Sequence, residues 1–372
     1  MGEHSNQPRQ GFDYWASFEG QGQYWNSVFN VNGTEQKPKD STYVTDAITD
    51  YAIDFLNGRD KNKPFFLYMS HKAVHSEFVP NPKDYGKYKN EKLTYPATML
   101  PPDISGNKDY NYEDLPDWVK KQRYSWHGVN YMYHGAMDFD VFYKNYCETL
   151  LGIDESVGQV IAYLEKNGLS QNTTIIYMGD NGFSFGEHGL IDKRHAYEES
   201  MRVPLLVYGP DVKVKGATIT ANVQNIDIAP TILDMAKVSK NIWLKSQFDG
   251  QSFLPLLQNG QKIPWRDTIF YEYFWERPFP QTPTVHAIRT DQYKYIRYHG
   301  VWDINELYDI KNDPWEMNNL IRHPNHQNTA MSMREALFRW TKNTEGEVMF
   351  LRNDGKGARF DIGKDKSYKG TY

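Results

Sequence analysis

Apolar positions along residues 42–58 recur at helical spacing. Val44, Ala47, Ile48, Tyr51, Phe55 and Leu56 share one face, and Asn57-Gly58 closes the run, which predicts an amphipathic helix. A second run, from about Asp138 to Lys166, carries Phe142, Tyr146, Leu150, Val157, Val160, Ile161 and Leu164. It ends at Asn167-Gly168 and predicts a long helix. Three short apolar stretches read as strands instead: Pro64–Ser70, Thr173–Met178 and Val203–Tyr208, the last with Pro204 near its start. A further helix is expected from about Asp227 to Lys237, with Asp227 as its cap and Pro230 in its first turn. Strands alternating with helices predict an α/β fold with a mostly parallel sheet flanked by helices.

Two regions break this pattern. Residues 80–130 mix proline, aromatic and charged residues without a period, as in Tyr95-Pro96 and Asp114-Leu115-Pro116-Asp117-Trp118, and read as a substrate-facing insertion. Beyond Asn259, Val285–Thr290 and Tyr293–Tyr298 alternate around a tight polar turn. They predict an antiparallel hairpin, with a helix around Met331–Trp340 to pack on it. The expected division is a core over residues 1–260, a smaller C-terminal antiparallel sheet plus helix over 261–350, and a Gly-, Lys- and Asp-rich, loosely held tail over 351–372.

Composition narrows the class. The chain has 372 residues, 39% hydrophobic and 24% charged, so it is long enough for a sizeable core plus a smaller domain. A formal net charge of −5 argues against nucleic acid as a partner, although Lys193-Arg194-His195 is a local basic cluster able to meet an anion. The aromatic fraction of 15% suits either a core or a surface that faces sugar rings. The single cysteine, Cys147, excludes an internal disulfide and reads as a small buried apolar residue. No stretch is apolar enough to span a bilayer, and the polar start Met1–Arg9 is not a signal peptide as written.

The chemistry concentrates where the Thr173–Met178 strand stops, at Gly179-Asp180-Asn181-Gly182. Ligands gather beyond the carboxyl ends of strands in α/β sheets, and two hard oxygens there suit calcium or magnesium. Adjacent side chains reach one ion only if the backbone turns, and Gly182 permits that; a plain Asp-Asn-Gly turn without metal is the alternative. Lys193 would stabilise negative charge on a metal-bound oxyanion, unless it is an ordinary surface lysine. His75, beyond the Pro64–Ser70 strand, is able to protonate a leaving oxygen or to be structural. His71 lies four residues earlier, at a spacing that suits a zinc pair on a helix, but no helix is expected there.

Taken together, Gly179 through Arg194 followed by Tyr197-Glu198-Glu199-Ser200-Met201-Arg202-Val203-Pro204 closely resemble the formylglycine-dependent sulfatases of the alkaline-phosphatase-like superfamily. Gly11-Phe12-Asp13-Tyr14-Trp15, Ser70–His75, Asp227–Thr231, Asp249-Gly250-Gln251-Ser252, Glu306–Asp309 and Asp313-Pro314 agree, in family order. The resemblance is nearest to enzymes that desulfate glycans. It implies that Asp180 and Asn181 are ligands of a Ca2+ ion, that Lys193 lies on the sulfate, and that His75 lies near the leaving-group oxygen. His188, Arg194, His286 and Arg289 are its candidates for substrate contacts. The implied partner is a sulfated oligosaccharide or polysaccharide, such as a marine algal glycan, and the implied location is periplasmic or secreted.

One departure matters. Formylglycine forms from Cys or Ser in a C/S-x-P/A-x-R segment, and none occurs here. The paired aspartates that supply the remaining calcium ligands in the family are also missing. The chain therefore reads as a sulfatase without its N-terminal part, with no nucleophile, with weak calcium binding and without activity by itself. Two rivals remain: a non-catalytic sulfated-glycan-binding protein, and a phosphodiesterase or phosphonate hydrolase of the same superfamily.

Overall fold

A computed structural model describes residues 6–135, 137–243, 248–260, 263–344, 361–362 and 368–369. In chain order its elements begin with strands β1 (Ala16–Phe18), β2 (Phe29–Val31) and β3 (Thr34–Gln36) and helix α1 (Val44–Gly58). Helices α2 (Pro102–Ser105), α3 (Asp117–Gln122) and α4 (Phe139–Lys166) follow, then strand β4 (Ile175–Met178), helix α5 (Glu198–Met201) and strand β5 (Leu205–Tyr208). Next come helices α6 (Ile228–Met235), α7 (Lys240–Trp243) and α8 (Leu254–Asn259). Strands β6 (Thr268–Tyr273), β7 (Thr284–Thr290), β8 (Tyr293–His299) and β9 (Glu306–Asp309) precede helix α9 (Gln327–Asn343). A two-residue pair, β10 (Asp361–Ile362) and β11 (Tyr368–Lys369), ends the described chain. Most of the predicted tail, 351–372, lies outside the described residues.

The chain divides into two units: residues 1–93 with 138–173, and residues 94–137 with 174–372. In the first unit, β1, β2 and β3 form an antiparallel meander, and α1 packs on α4. Both helices fall where the hydrophobic period places them. Asp138 caps α4 by accepting a hydrogen bond from the Val141 N–H at 3.1 Å, which satisfies one of the free amides of the first turn. At the helix interface the buried Thr49 and Ser156 hydroxyls lie 2.5 Å apart. Further along α4 the buried Glu148 carboxylate accepts from the Gly86 and Tyr88 amides, both at 2.9 Å. Cys147 is free and half-buried, and burial raises its thiol pKa.

The predicted strand over Pro64–Ser70 is not one: these residues join no sheet, and Phe66 and Tyr68 are exposed. An apolar run signals burial only when a partner surface covers both faces, and here alternate side chains point to solvent.

The expected parallel sheet is also corrected. Among the described residues every sheet is antiparallel. β4 and β5 pair from Ile175↔Tyr208 to Met178↔Leu205. Parallel neighbours need a crossover, usually a helix, whereas the only α-helix between β4 and β5 is the four-residue α5, so the chain simply turns back. Asp227 does not cap α6 with its side chain; it accepts both amino groups of Arg266, at 2.6 and 2.8 Å.

The predicted hairpin is β7–β8, within the sheet β6-β7-β8-β9. One face carries Ile288, Tyr295 and Leu307 against Ala330, Met333 and Leu337 of α9, and Phe270 stacks on Trp340. The other face carries Val285, Ala287, Ile296 and Tyr308 against Tyr110, Leu115, Trp118 and Val119. Part of the irregular segment 80–130 is therefore core.

Charge is buried here too. The fully buried Lys294 ammonium lies 2.8 Å from Glu198 and 2.7 Å from Glu316. Glu306 accepts hydrogen bonds from the Tyr197, Tyr298 and Tyr308 hydroxyls, and burial still pushes its carboxyl up to about 7. Removing one partner of a buried ion pair strands the other in low dielectric. Lys294→Met is therefore expected to cost about 3–5 kcal/mol in denaturant unfolding, and a loss below about 1 kcal/mol would contradict this account.

Candidate functional site

Seven of the eight predicted site residues lie in the second unit; His75 lies in the first. The central pair sits just past β4. The chain bends at Asp180 and Asn181, where the Asp180 Oδ1 accepts the Asn181 amide at 2.8 Å. That bend turns both oxygen-bearing side chains out into the exposed end of the strand. Gly182 is obligatory for a reason beyond flexibility. A Cβ there would come 2.0 Å from the Glu199 carbonyl oxygen and 2.6 Å from that of Arg202, so the loop lies flat against α5.

Lys193 reaches this pair. Its ammonium donates to the Asn181 Oδ1 at 2.8 Å. An ammonium has three protons, so two remain for an anion. Ser200 ties the two loops together: its hydroxyl donates to the Lys193 carbonyl at 2.6 Å, and its own carbonyl accepts the Gly182 amide at 3.0 Å. Lys193 is further fixed through Asp192. That buried carboxylate accepts the Lys193 amide at 2.7 Å and the Arg194 guanidinium at 2.6 Å, and Gln122 donates to it at 3.2 Å. Burial pushes the Asp192 carboxyl up, but His127, Arg194 and His195 outweigh it and hold its pKa below the ordinary value.

The remaining candidates are not gathered at this cluster by any side-chain bond. Arg194 spends its guanidinium on Asp192 and on the face of Phe279, 3.4 Å from the ring centre. His188 is fully buried, its ring stacked 4.0 Å from that of Tyr197 and its Nδ1 3.4 Å from the Tyr110 hydroxyl. Burial, then the nearby His195 and Lys294, hold it well below its usual pKa, so it is a neutral core ring. Arg289 clasps Glu198 at 2.9 and 3.3 Å and reaches Asn222 at 2.9 Å. His286 is buried between His299, at 3.0 Å, and Glu272, at 3.3 Å. In the first unit, His75 is exposed with its Nδ1 2.6 Å from the Ser76 carbonyl, while His71 is bonded to Ser156 at 3.0 Å and depressed to about 4 by burial.

Ser200, Gln122 and Arg289 were not legible as supports of the site in the sequence. Ser200 sits in the Glu198–Arg202 motif, but only its two bonds show what it does.

Asp180 and Asn181 fit a hard cation in kind, both being oxygen donors. In number they fall short of six, one of the two already faces an ammonium, and among the described residues no group of three or more His, Cys, Asp or Glu is placed to hold a metal ion.

The family model described as Sulfatase matches residues 1–238. The chain belongs to the sulfatase family. A second model, N-sulphoglucosamine sulphohydrolase, C-terminal, matches residues 186–343. The chain is 34% identical to the N-acetylglucosamine-6-O-sulfatase of Bacteroides thetaiotaomicron over 84% of this chain and 64% of that protein. It is 32% identical to the N-acetylglucosamine-6-sulfatase of Homo sapiens over 74% of this chain and 47% of that one. It thus spans about half to two thirds of the length of these relatives. A solved protein in complex with its substrate D-glucosamine-2-N,6-O-disulfate superposes with a TM-score of 0.76 at 30% identity, over 92% of this chain and 78% of the other. The fold is the sulfatase fold. A phosphonate monoester hydrolase from Silicibacter pomeroyi shares it at 18% identity and a TM-score of 0.62.

Two outcomes follow from the loop's packing. Gly182→Ala is expected to lower unfolding free energy by about 1–3 kcal/mol, because its Cβ has no space; an unchanged denaturation midpoint would refute the close approach. Glu199, on α5, has its carboxyl pushed up to about 7 by burial and then by Glu187. A carboxyl raised above its unfolded value holds an extra proton in the folded state. It adds stability at low pH, and that gain is lost as pH rises from about 4.5 through about 7. Glu199→Gln should remove this part of the pH dependence, a difference of up to about 3 kcal/mol between pH 4.5 and 7.5; parallel wild-type and variant profiles would contradict it.

Proposed function

We propose that this chain carries the sulfate-holding part of a glycan sulfatase acting on a 6-O-sulfated glucosamine unit. The observation that carries the reading is the Lys193–Asn181 contact beside Asp180, in a chain that belongs to the sulfatase family. The substrate choice is supported by the relatives, which are named for N-acetylglucosamine 6-sulfate. The family uses Ca2+ and formylglycine in general.

Lys193 binds and orients. Its two free protons meet sulfate oxygens, and its positive charge offsets the negative charge those oxygens carry. Asp180 and Asn181 would hold a calcium ion, which when bound supplies further positive charge at the same oxygens. Asp192 and Ser200 keep Lys193 in register by fixing its backbone. No C/S-x-P/A-x-R segment occurs in these 372 residues, so no formylglycine step is derived for them.

The test is titration of the chain with glucosamine 6-sulfate in millimolar calcium, read by calorimetry and by sulfate release. Saturable, sulfate-dependent binding is expected, at least tenfold weaker in Lys193→Ala, with no sulfate released. Binding indifferent to Lys193 would sink the role given to the lysine, and steady release of sulfate would sink the absence of a nucleophile.

A further inference from the structure

At the N-terminal end of α3, in the second unit, lies a cleft of about 430 Å³, the size of small-ligand sites. One wall is Trp302, in the loop between β8 and β9. Its side chain is as exposed as an isolated residue, at 107%, and among the described residues it makes no hydrogen bond or ring contact. A tryptophan carries one of the largest apolar surfaces of any side chain, so leaving it in water is costly. A fully exposed indole beside a cleft is an apolar surface open to a ligand.

The rest of the lining says what that occupant is. Glu113, Asp117 and Asp303 face Lys120 and Arg322, three carboxylates against two cations, so the cleft is weakly acidic. Asp303 is spent: its two oxygens accept the Trp118 and Ile304 amides, both at 2.8 Å. The cations are partly spent as well, Lys120 on the Glu113 carbonyl at 2.8 Å and on Asp117 at 3.7 Å, and Arg322 on Asp114 at 3.0 Å, while Asp117 stays mostly exposed with its other oxygen open. What remains is one apolar ring plate flanked by carboxylate acceptors and by partly used donors. A ligand with an apolar C–H face and a rim of hydroxyls matches this, whereas a sulfate group meets net negative charge.

We infer that the Trp302 cleft binds an unsulfated sugar residue, with the indole under the ring and Glu113 and Asp117 accepting its hydroxyl protons. The cleft and the Lys193 loop are joined by α3: Trp118 at its start touches the cleft through Asp303, and Gln122 at its end donates to Asp192. The six helical residues between them rise about 9 Å, and no lining residue of the cleft belongs to the Lys193 cluster. The cleft thus holds a glycan by a part other than the sulfate, and it does so whether or not the Lys193 site binds its anion.

The experiment titrates the chain with an unsulfated N-acetylglucosamine trimer, read by tryptophan fluorescence and calorimetry, for the wild type and for Trp302→Ala, Asp117→Asn and Lys193→Ala. Saturable binding is expected, at least tenfold weaker in Trp302→Ala, several-fold weaker in Asp117→Asn and unchanged in Lys193→Ala. Because Trp302 packs on nothing, its variant should melt at the wild-type temperature. Absence of saturable binding, or equal affinity in Trp302→Ala, would overturn the inference. So would a concentration-dependent dimer in sedimentation that Trp302→Ala abolishes, since a second copy would then be the occupant. Loss of glucosamine 6-sulfate binding in Lys193→Ala, with trimer binding intact, separates this outcome from that of the sulfate site.

Discussion

The buried carboxylate of Glu198 is the point on which the second unit turns. It receives Lys294 at 2.8 Å and Arg289 at 2.9 Å, and together these cations outweigh burial and hold its carboxyl at about 2. Glu198 is also the first residue of α5, and its amide donates to Glu316 at 2.8 Å. A four-residue helix has almost no stability of its own. This one is held because its first side chain is locked to β7 and β8 and its backbone to the loop after β9. Two residues on, Ser200 passes that order to Gly182 and to Lys193. The position of the ammonium beside Asn181 is therefore set by an antiparallel sheet contributed by residues about 90 positions further along the chain.

That dependence explains why charge is tolerated in the core. Replacing such a cluster by apolar residues is often neutral for stability in itself, so the ions are not needed merely to hold the sheet. What apolar packing lacks is direction. Arg289 donates to both oxygens of Glu198 and the Lys294 ammonium lies 2.8 Å from one of them, so the carboxylate at the start of α5 is held from a fixed direction. The 2.8 Å contact between Lys193 and Asn181 rests on that support.

Legibility in the sequence followed the range of the interaction. The helices α1 and α4 and the β7–β8 hairpin rest on local periodicity and turn residues, and each was read within a few positions. Pro64–Ser70 failed because a strand is a pairing and not a composition. The parallel sheet failed because strand direction is fixed by the length of the connection, and α5 was too short to be a crossover. Asp180, Asn181 and Lys193 were legible as a motif, and the loop geometry brings these three together. His188, Arg289 and His286 carry the same residue types that make good ligands, yet their side chains close on Tyr197, Glu198 and Glu272, partners 9 to 91 positions away. Nothing within their own windows announces such partners.

The contact that defines the site also limits it. Asn181 Oδ1 has two lone pairs, and one points at an ammonium. A cation placed against the other would lie close to Lys193, and two like charges at such a distance repel by several kcal/mol unless an anion lies between them. If Asp180 and Asn181 held a cation, an anion beside Lys193 would relieve that repulsion, and the Asp180 carboxylate would offset part of the positive charge. In that case anion and cation binding would be coupled, each raising the affinity for the other by the same factor. The Lys193–Asn181 bond is what keeps the lysine in place when neither is there.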